Sequence, residues 1–174
     1  RGLGDVYKRQ EYGCFCPVMR LHGYRWPLQP QYGTTGGATC VSGAPNEVWS
    51  YTDQVCEILS DYLRLRERML PYITELMEEA HEKGTPVMRP LFYDFPEDKE
   101  SWNVETEYMF GPKVLVKPIT DADARETDVY LPGGASWTNA WTGETFEGGQ
   151  KVHVAAPIEQ IPLFTRDGYK LPMK

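Results

Sequence analysis

Hydrophobic and polar positions recur with two different periods along this chain, and the change falls near residue 105. From Val48 through Tyr51, Val55, Ile58, Leu59, Tyr62 and Leu65, then Met69, Ile73, Leu76, Met77 and Ala80, apolar residues return at three- and four-residue steps, which predicts an amphipathic helical stretch. Pro45 at a first turn, with Glu47 just after it, marks the expected start. Pro71 lacks a backbone donor, so the stretch is expected to kink or split there, and Gly84 supplies the stop. The polar face, with Arg64, Glu67, Arg68, Glu75, Glu78, Glu79 and Glu82, reads as a solvated surface.

Beyond about residue 106 the runs 113–117, 127–131, 136–138, 151–154 and 161–164 are short and strand-like. Turn residues such as Pro132-Gly133-Gly134, Thr142-Gly143 and Gly148-Gly149 separate them. Short strands at regular spacing without helices predict an antiparallel β-sandwich.

Two further apolar runs flank the helical stretch. Phe15 to Gly23 reads as a buried strand in which Cys16, Val18 and Leu21 pack inward, Pro17 restricts pairing, and Gly23 lets the chain leave just after His22. Pro86 to Pro96 reads as one more strand. Arg89 within it must be paired, because an unpaired buried guanidinium is prohibitively unfavourable. A strand, loop, helix, strand order fits a parallel α/β unit. Between the first run and the helix, residues 24–44 contain Pro27, Pro30, Gly33, Gly36, Gly37 and Gly43 and predict a long loop, with Arg25, Trp26 and Tyr32 as candidate rim residues. Residues 1–10 show no apolar periodicity. The string RGLGDVYKRQ resembles translated adaptor sequence and is read as a non-native scar, a genuine surface arm being the alternative.

Composition narrows the function classes. A length of 174 residues permits one good core but not a whole barrel of about 250 residues, so an α/β barrel could be present only in part. The formal charge of −7, without a Lys/Arg cluster, argues against nucleic acid and anionic membrane as partners, and no apolar run reaches membrane-spanning length. Five Trp and eleven Tyr suit sugar faces as well as sandwich cores. Cys14, Cys16, Cys40 and Cys56 form neither a C-x-x-C pair nor a disulfide framework. A zinc site from Cys14, Cys16, His22 and Cys40 has poor chelating spacing; no metal and no cofactor is expected.

His22, taken by residue type alone, is either a hydrogen-bonded structural imidazole or a ligand group. The longer stretch 13–25, GCFCPVMRLHGYR, followed by Ala44-Pro45-Asn46-Glu47-Val48-Trp49, resembles the late-barrel region of glycoside hydrolase family 31, the α-glucosidases and α-xylosidases. The Pro86 to Pro90 run resembles that family's G-T-P-x-x-R-P segment, and Tyr108-Met109-Phe110-Gly111 and Trp141-Thr142-Gly143-Glu144 resemble parts of its first C-terminal β domain.

The resemblance implies an α/β plus all-β chain: the C-terminal part of a (β/α)8 TIM barrel over residues 11–105, then an antiparallel β-sandwich domain over 106–174. It implies retaining hydrolysis of an α-glycoside by a nucleophile and an acid/base carboxylate, both upstream of this chain in family members. His22 matches the family's glycone-binding His, and Arg20, two residues earlier, is expected to orient or support that site or to form a structural ion pair. No catalytic residue is expected among Asp53, Asp61, Asp94 and Asp98, although Asp94 sits where a pocket could be viewed. The substrate implied is an oligosaccharide or glycoside, and the isolated chain is expected to be inactive. A non-catalytic sugar-binding module and a purely structural β-sandwich are the alternatives.

Overall fold

The computed structural model describes residues 3–21, 25–29, 42–44, 46–121 and 123–173, with backbone alone for 3–7, 25–29 and 42–44. Helix α1 spans Leu3–Gly13, strands β1 and β2 span Arg25–Gln29 and Ser42–Ala44, and a 3-10 turn covers Val48–Ser50. Helices α2 and α3 are Asp53–Arg68 and Leu70–Lys83. After β3 (Met88–Arg89), α4 (Leu91–Asp94) and a 3-10 turn at Lys99–Trp102 come β4 (Tyr108–Phe110), β5 (Val114–Val116) and β6 (Glu126–Leu131). The remaining strands are β7 (Ser136–Asn139), β8 (Thr145–Glu147), β9 (Gln150–Ala155) and β10 (Leu163–Arg166).

The helical stretch divides where Pro71 requires it. α2 ends at Met69, whose amide still reaches Leu65 and Arg66, and α3 restarts at once with Pro71 in its first turn, where no donor is needed. Gly84 closes α3 in the left-handed conformation, φ 71°, its amide bonded to Ala80. The α-helix begins later than expected: Thr52, not Pro45, is its cap, its hydroxyl accepting from the Val55 amide at 3.4 Å, and Pro45 lies outside the described residues.

Six strands form one sheet in the order β3-β4-β5-β10-β7-β8, and β6 pairs with β9 as a separate ribbon; every ladder among the described residues is antiparallel. The central strands β4, β5 and β10 of the large sheet are buried on both faces, and side-chain alternation decides which layer each residue joins. Phe110, Val114, Val116 and Leu163 pack against Ile58, Tyr62, Leu65, Tyr72 and Leu76 of α2 and α3. Met109, Leu115, Trp137 and Phe164 pack against Val129, Leu131, Val152 and Val154 of the ribbon.

Four expectations are corrected. Residues 14–21 form no strand, and Val18 is 78 % exposed rather than inward-facing, as is Leu21 at 38 %. Pro17 has no amide to donate and the carbonyls of 14–17 are all engaged by side chains, so no ladder can form there. The 86–96 run is not a parallel barrel strand: only Met88 and Arg89 are extended, and they pair antiparallel with Phe110 and Met109 of the large sheet before α4 begins. The 24–44 segment is not all loop, because β1 and β2 pair antiparallel; its middle, with Tyr32, lies outside the described residues. Residues 3–13, for which no element was expected, are helical.

Candidate functional site

α1 stops at Gly13, and three tight backbone bonds turn the chain: Cys14 to Gln10, Phe15 to Tyr12 and Cys16 to Gly13. Phe15 is fully buried and meets Tyr62 and Phe110 edge-on, with both centroids at 6.4 Å. The next feature cannot be read from the sequence. Arg66 of α2 donates to the carbonyls of Cys14 and Cys16 at 2.8 Å and of Pro17 at 3.0 Å, while the Tyr108 hydroxyl of β4 donates to Phe15 at 2.9 Å. Four consecutive carbonyls are thus held by two side chains, one from the helical layer and one from the sheet. Arg20 emerges from this strap exposed. His22 lies outside the described residues, so the two expected substrate-binding residues are not brought together in view.

Burial disfavours the thiolate at both cysteines of the strap. Cys14 donates toward the Met19 sulfur at 3.6 Å, and burial pushes its pKa up to about 12; Cys16 is also raised by burial. Cys14, Cys16 and Cys56 are free, and no group of three His, Cys, Asp or Glu among the described residues could hold a metal ion. Cys40, like His22, is outside the description.

Glu11 is strongly perturbed. Its Oε2 accepts from Lys8 at 3.0 Å, Oε1 has no partner, and burial raises its pKa to about 7 against the pull of Lys8. Lys8 also donates to the carbonyls of Pro157 and Gln160, both at 3.0 Å, which ties α1 to the turn before β10.

The carboxylates considered from sequence have structural places. Asp94 accepts from Arg89 at 3.1 Å; Arg89, 5 % exposed, also bonds the Pro86 carbonyl at 2.7 Å and approaches Glu79 at 3.6 Å. This is the pairing expected for Arg89. Burial pushes the Asp94 carboxyl up and Arg89 opposes that. Asp98 accepts from the Tyr130 hydroxyl and the Gly133 amide, Asp61 pairs with Arg64, and Asp53 occupies the first turn of α2. The polar face of α2 and α3 is exposed as expected, apart from the half-buried Glu79, and Arg68 reaches from it to the carbonyls of Pro172 and Met173.

An open cleft of about 600 Å³ lies beside the strap, lined by Tyr12, Met88, Glu107, Tyr108, Pro118 and neighbouring residues. Glu107 is already committed there, accepting from the Tyr130 amide at 3.0 Å and from Lys117 at 3.4 Å. Neither Arg20 nor Asp94 lines the cleft. What these residues assemble beside the cleft is a device for holding backbone, four consecutive carbonyls on two side chains.

Comparison with known proteins places these features in a wider frame. The family model described as the glycosyl hydrolases family 31 TIM-barrel domain matches residues 5–76, and that of the glycosyl hydrolase family 31 C-terminal domain matches residues 84–171. An alpha-xylosidase of Saccharolobus solfataricus is 35% identical over 174 residues, 99% of this chain and 21% of its own length. Alpha-glucosidase 2 of Bacillus thermoamyloliquefaciens is 39% identical over 167 residues, 95% of this chain and 19% of its own length. Among solved structures, the GH31 alpha-xylosidase from a soil metagenome complexed with xylose superimposes with a TM-score of 0.87 at 44% identity, covering 95% of this chain and 25% of that one. The chain spans about a fifth of the length of these two curated relatives.

Proposed function

The chain belongs to glycosyl hydrolase family 31, and from that premise we propose that it is the C-terminal portion of a retaining α-glycosidase acting on terminal α-linked glucose or xylose. In this reading, residues up to about 83 are the last units of a (β/α)8 barrel. The antiparallel layers after them are the first C-terminal β-sandwich domain, with β3 and α4 belonging to the sandwich because β3 pairs with β4. This reading sets the boundary near residue 84, between the two family matches, where periodicity alone suggested 105/106. The carrying observation is the order of the two family matches, barrel then C-terminal domain, across 5–171.

The catalytic nucleophile and acid/base carboxylates belong, on this reading, to the barrel upstream of residue 11. Retaining hydrolysis needs two carboxyl groups roughly 5 Å apart, one to form the glycosyl-enzyme and one to protonate the leaving oxygen. This chain contributes positioning instead. His22 contacts hydroxyls of the glycone through its ring nitrogens, and the exposed Arg20 supports the same rim. A hydrogen bond that strengthens at the transition state raises kcat as well as affinity. Soluble glycosides are the partners; no nucleic acid and no membrane enters the scheme. The test is steady-state kinetics of the full-length enzyme on aryl α-xyloside and α-glucoside. His22→Ala should lower kcat/KM by roughly two orders of magnitude, the scale of one or two lost hydrogen bonds in a water-excluded site. Kinetics equal to wild type would return His22 to a structural role.

A further inference from the structure

We propose that Arg66 and Tyr108 are positioning residues that set the glycone-facing segment from outside the site, so that the C-terminal β layers share in shaping the sugar subsite. This rests on the reading of the segment after Pro17 as glycone-facing. The geometry of the clamp stands independently of it. Four successive carbonyls, 14 to 17, are engaged by the Arg66 guanidinium and the Tyr108 hydroxyl at 2.8 to 3.0 Å.

A strap without secondary structure has no ladder to fix its direction, and its backbone oxygens would otherwise be left to solvent. A guanidinium presents several N–H donors in a rigid plane, so one side chain can fix the relative placement of Cys14, Cys16 and Pro17 where a lysine ammonium, a mobile point donor, cannot. Tyr108 supplies the remaining bond from β4, and burial raises its phenol pKa, so the hydroxyl keeps its proton and remains a donor. Phe15, fully buried against Tyr62 and Phe110, anchors the strap's inner side. Of the residues that follow, Val18 at 78 % exposure, Arg20 and Leu21 face outward, while Met19 is half-buried against the core. Neither Arg66 nor Tyr108 touches substrate in this scheme; each acts through the strap, and a misplacement of about 1 Å at a reacting centre can cost roughly a hundredfold in rate.

The experiment uses the full-length enzyme as wild type, Arg66→Lys, Tyr108→Phe, His22→Ala and the Arg66→Lys/His22→Ala double variant. It measures kcat and KM on the aryl glycoside together with hydrogen exchange of the peptide covering residues 14–21. We expect Arg66→Lys to accelerate exchange in that peptide while peptides of β6 and β9 stay at wild-type rates, and to lower kcat/KM about tenfold or more. On top of His22→Ala the same change should cost less than about threefold, because the two act on one interaction. Tyr108→Phe, which removes a single oxygen, should give a smaller change of the same kind. Unchanged exchange at 14–21, or an equal loss of activity in both backgrounds, overturns the clamp as a positioning device. A silent His22→Ala alongside a loosened, less active Arg66→Lys enzyme supports the clamp and overturns only the glycone role of His22.

Discussion

Glu11 carries a fully buried carboxylate with one oxygen on Lys8 and the other unpartnered. Lys8 faces it from α1, Tyr62 from α2, and Glu159 from the turn that Lys8 grips. Its pKa lies at about 7 in the fold against an ordinary 4.5, so the folded chain holds a proton that the unfolded chain has lost between those values. The associated stabilisation is complete below about pH 4.5 and is lost as pH rises through about 7. Urea midpoints of the chain should therefore fall between pH 5 and 8. Glu11→Gln should flatten that slope and raise stability at pH 8, by at most about 3 kcal/mol; a slope unchanged in the variant would place the titration elsewhere. At this scale, pairing was legible only where the partners are side chains. Arg89 in an apolar run demanded a counter-ion, and Asp94 and Glu79 supply it. Arg66 gave no such signal, since its partners are carbonyls about fifty residues away, and backbone groups look alike in every sequence.

Periodicity carried most of the element-scale information. The 3.6-residue stripe located α2 and α3, Pro71 located their division, and the short runs after residue 113 correspond to β5, β6, β7, β9 and β10. Alternation failed where pairing is too short to show a period, as in β3, and where side-chain bonds replace a ladder, as in the strap. One close approach fixes how α3 meets the sheet. Gly111 follows β4 at φ 61°, and a Cβ there would collide with the Tyr72 hydroxyl and both Leu76 methyls. Tyr72 in turn donates to the Phe110 carbonyl at 2.9 Å, so helix and sheet are locked at this point. Gly111→Ala combines left-handed strain with overpacking and should destabilise the chain by about 3 kcal/mol, read from urea unfolding of the buried Trp137. A loss under about 0.5 kcal/mol would mean that α3 can shift freely against β4.

For the whole molecule, the division of labour is between holding and reacting. The large sheet is covered by helices on one face and a ribbon on the other, and Trp137 and Phe164 are fully buried. Large apolar side chains stay exposed in both matched regions, Trp49 and Leu70 in the first, Tyr93 and Trp102 in the second. The clamp holds backbone, and the Arg89 ion pairs keep a buried charge paired. Asp98 and Glu107 are occupied by donors, and Asp94 accepts from Arg89 through Oδ1 while its buried Oδ2 has no partner. On the proposed reading both catalytic carboxylates lie upstream and this chain positions without reacting, and the most direct measurement is release of the aryl group from aryl α-xyloside and α-glucoside by the purified 174-residue chain. No release above the uncatalysed background is predicted. Turnover that co-purifies with the chain and disappears in Asp94→Asn would contradict it, by placing the reacting carboxylate inside these residues.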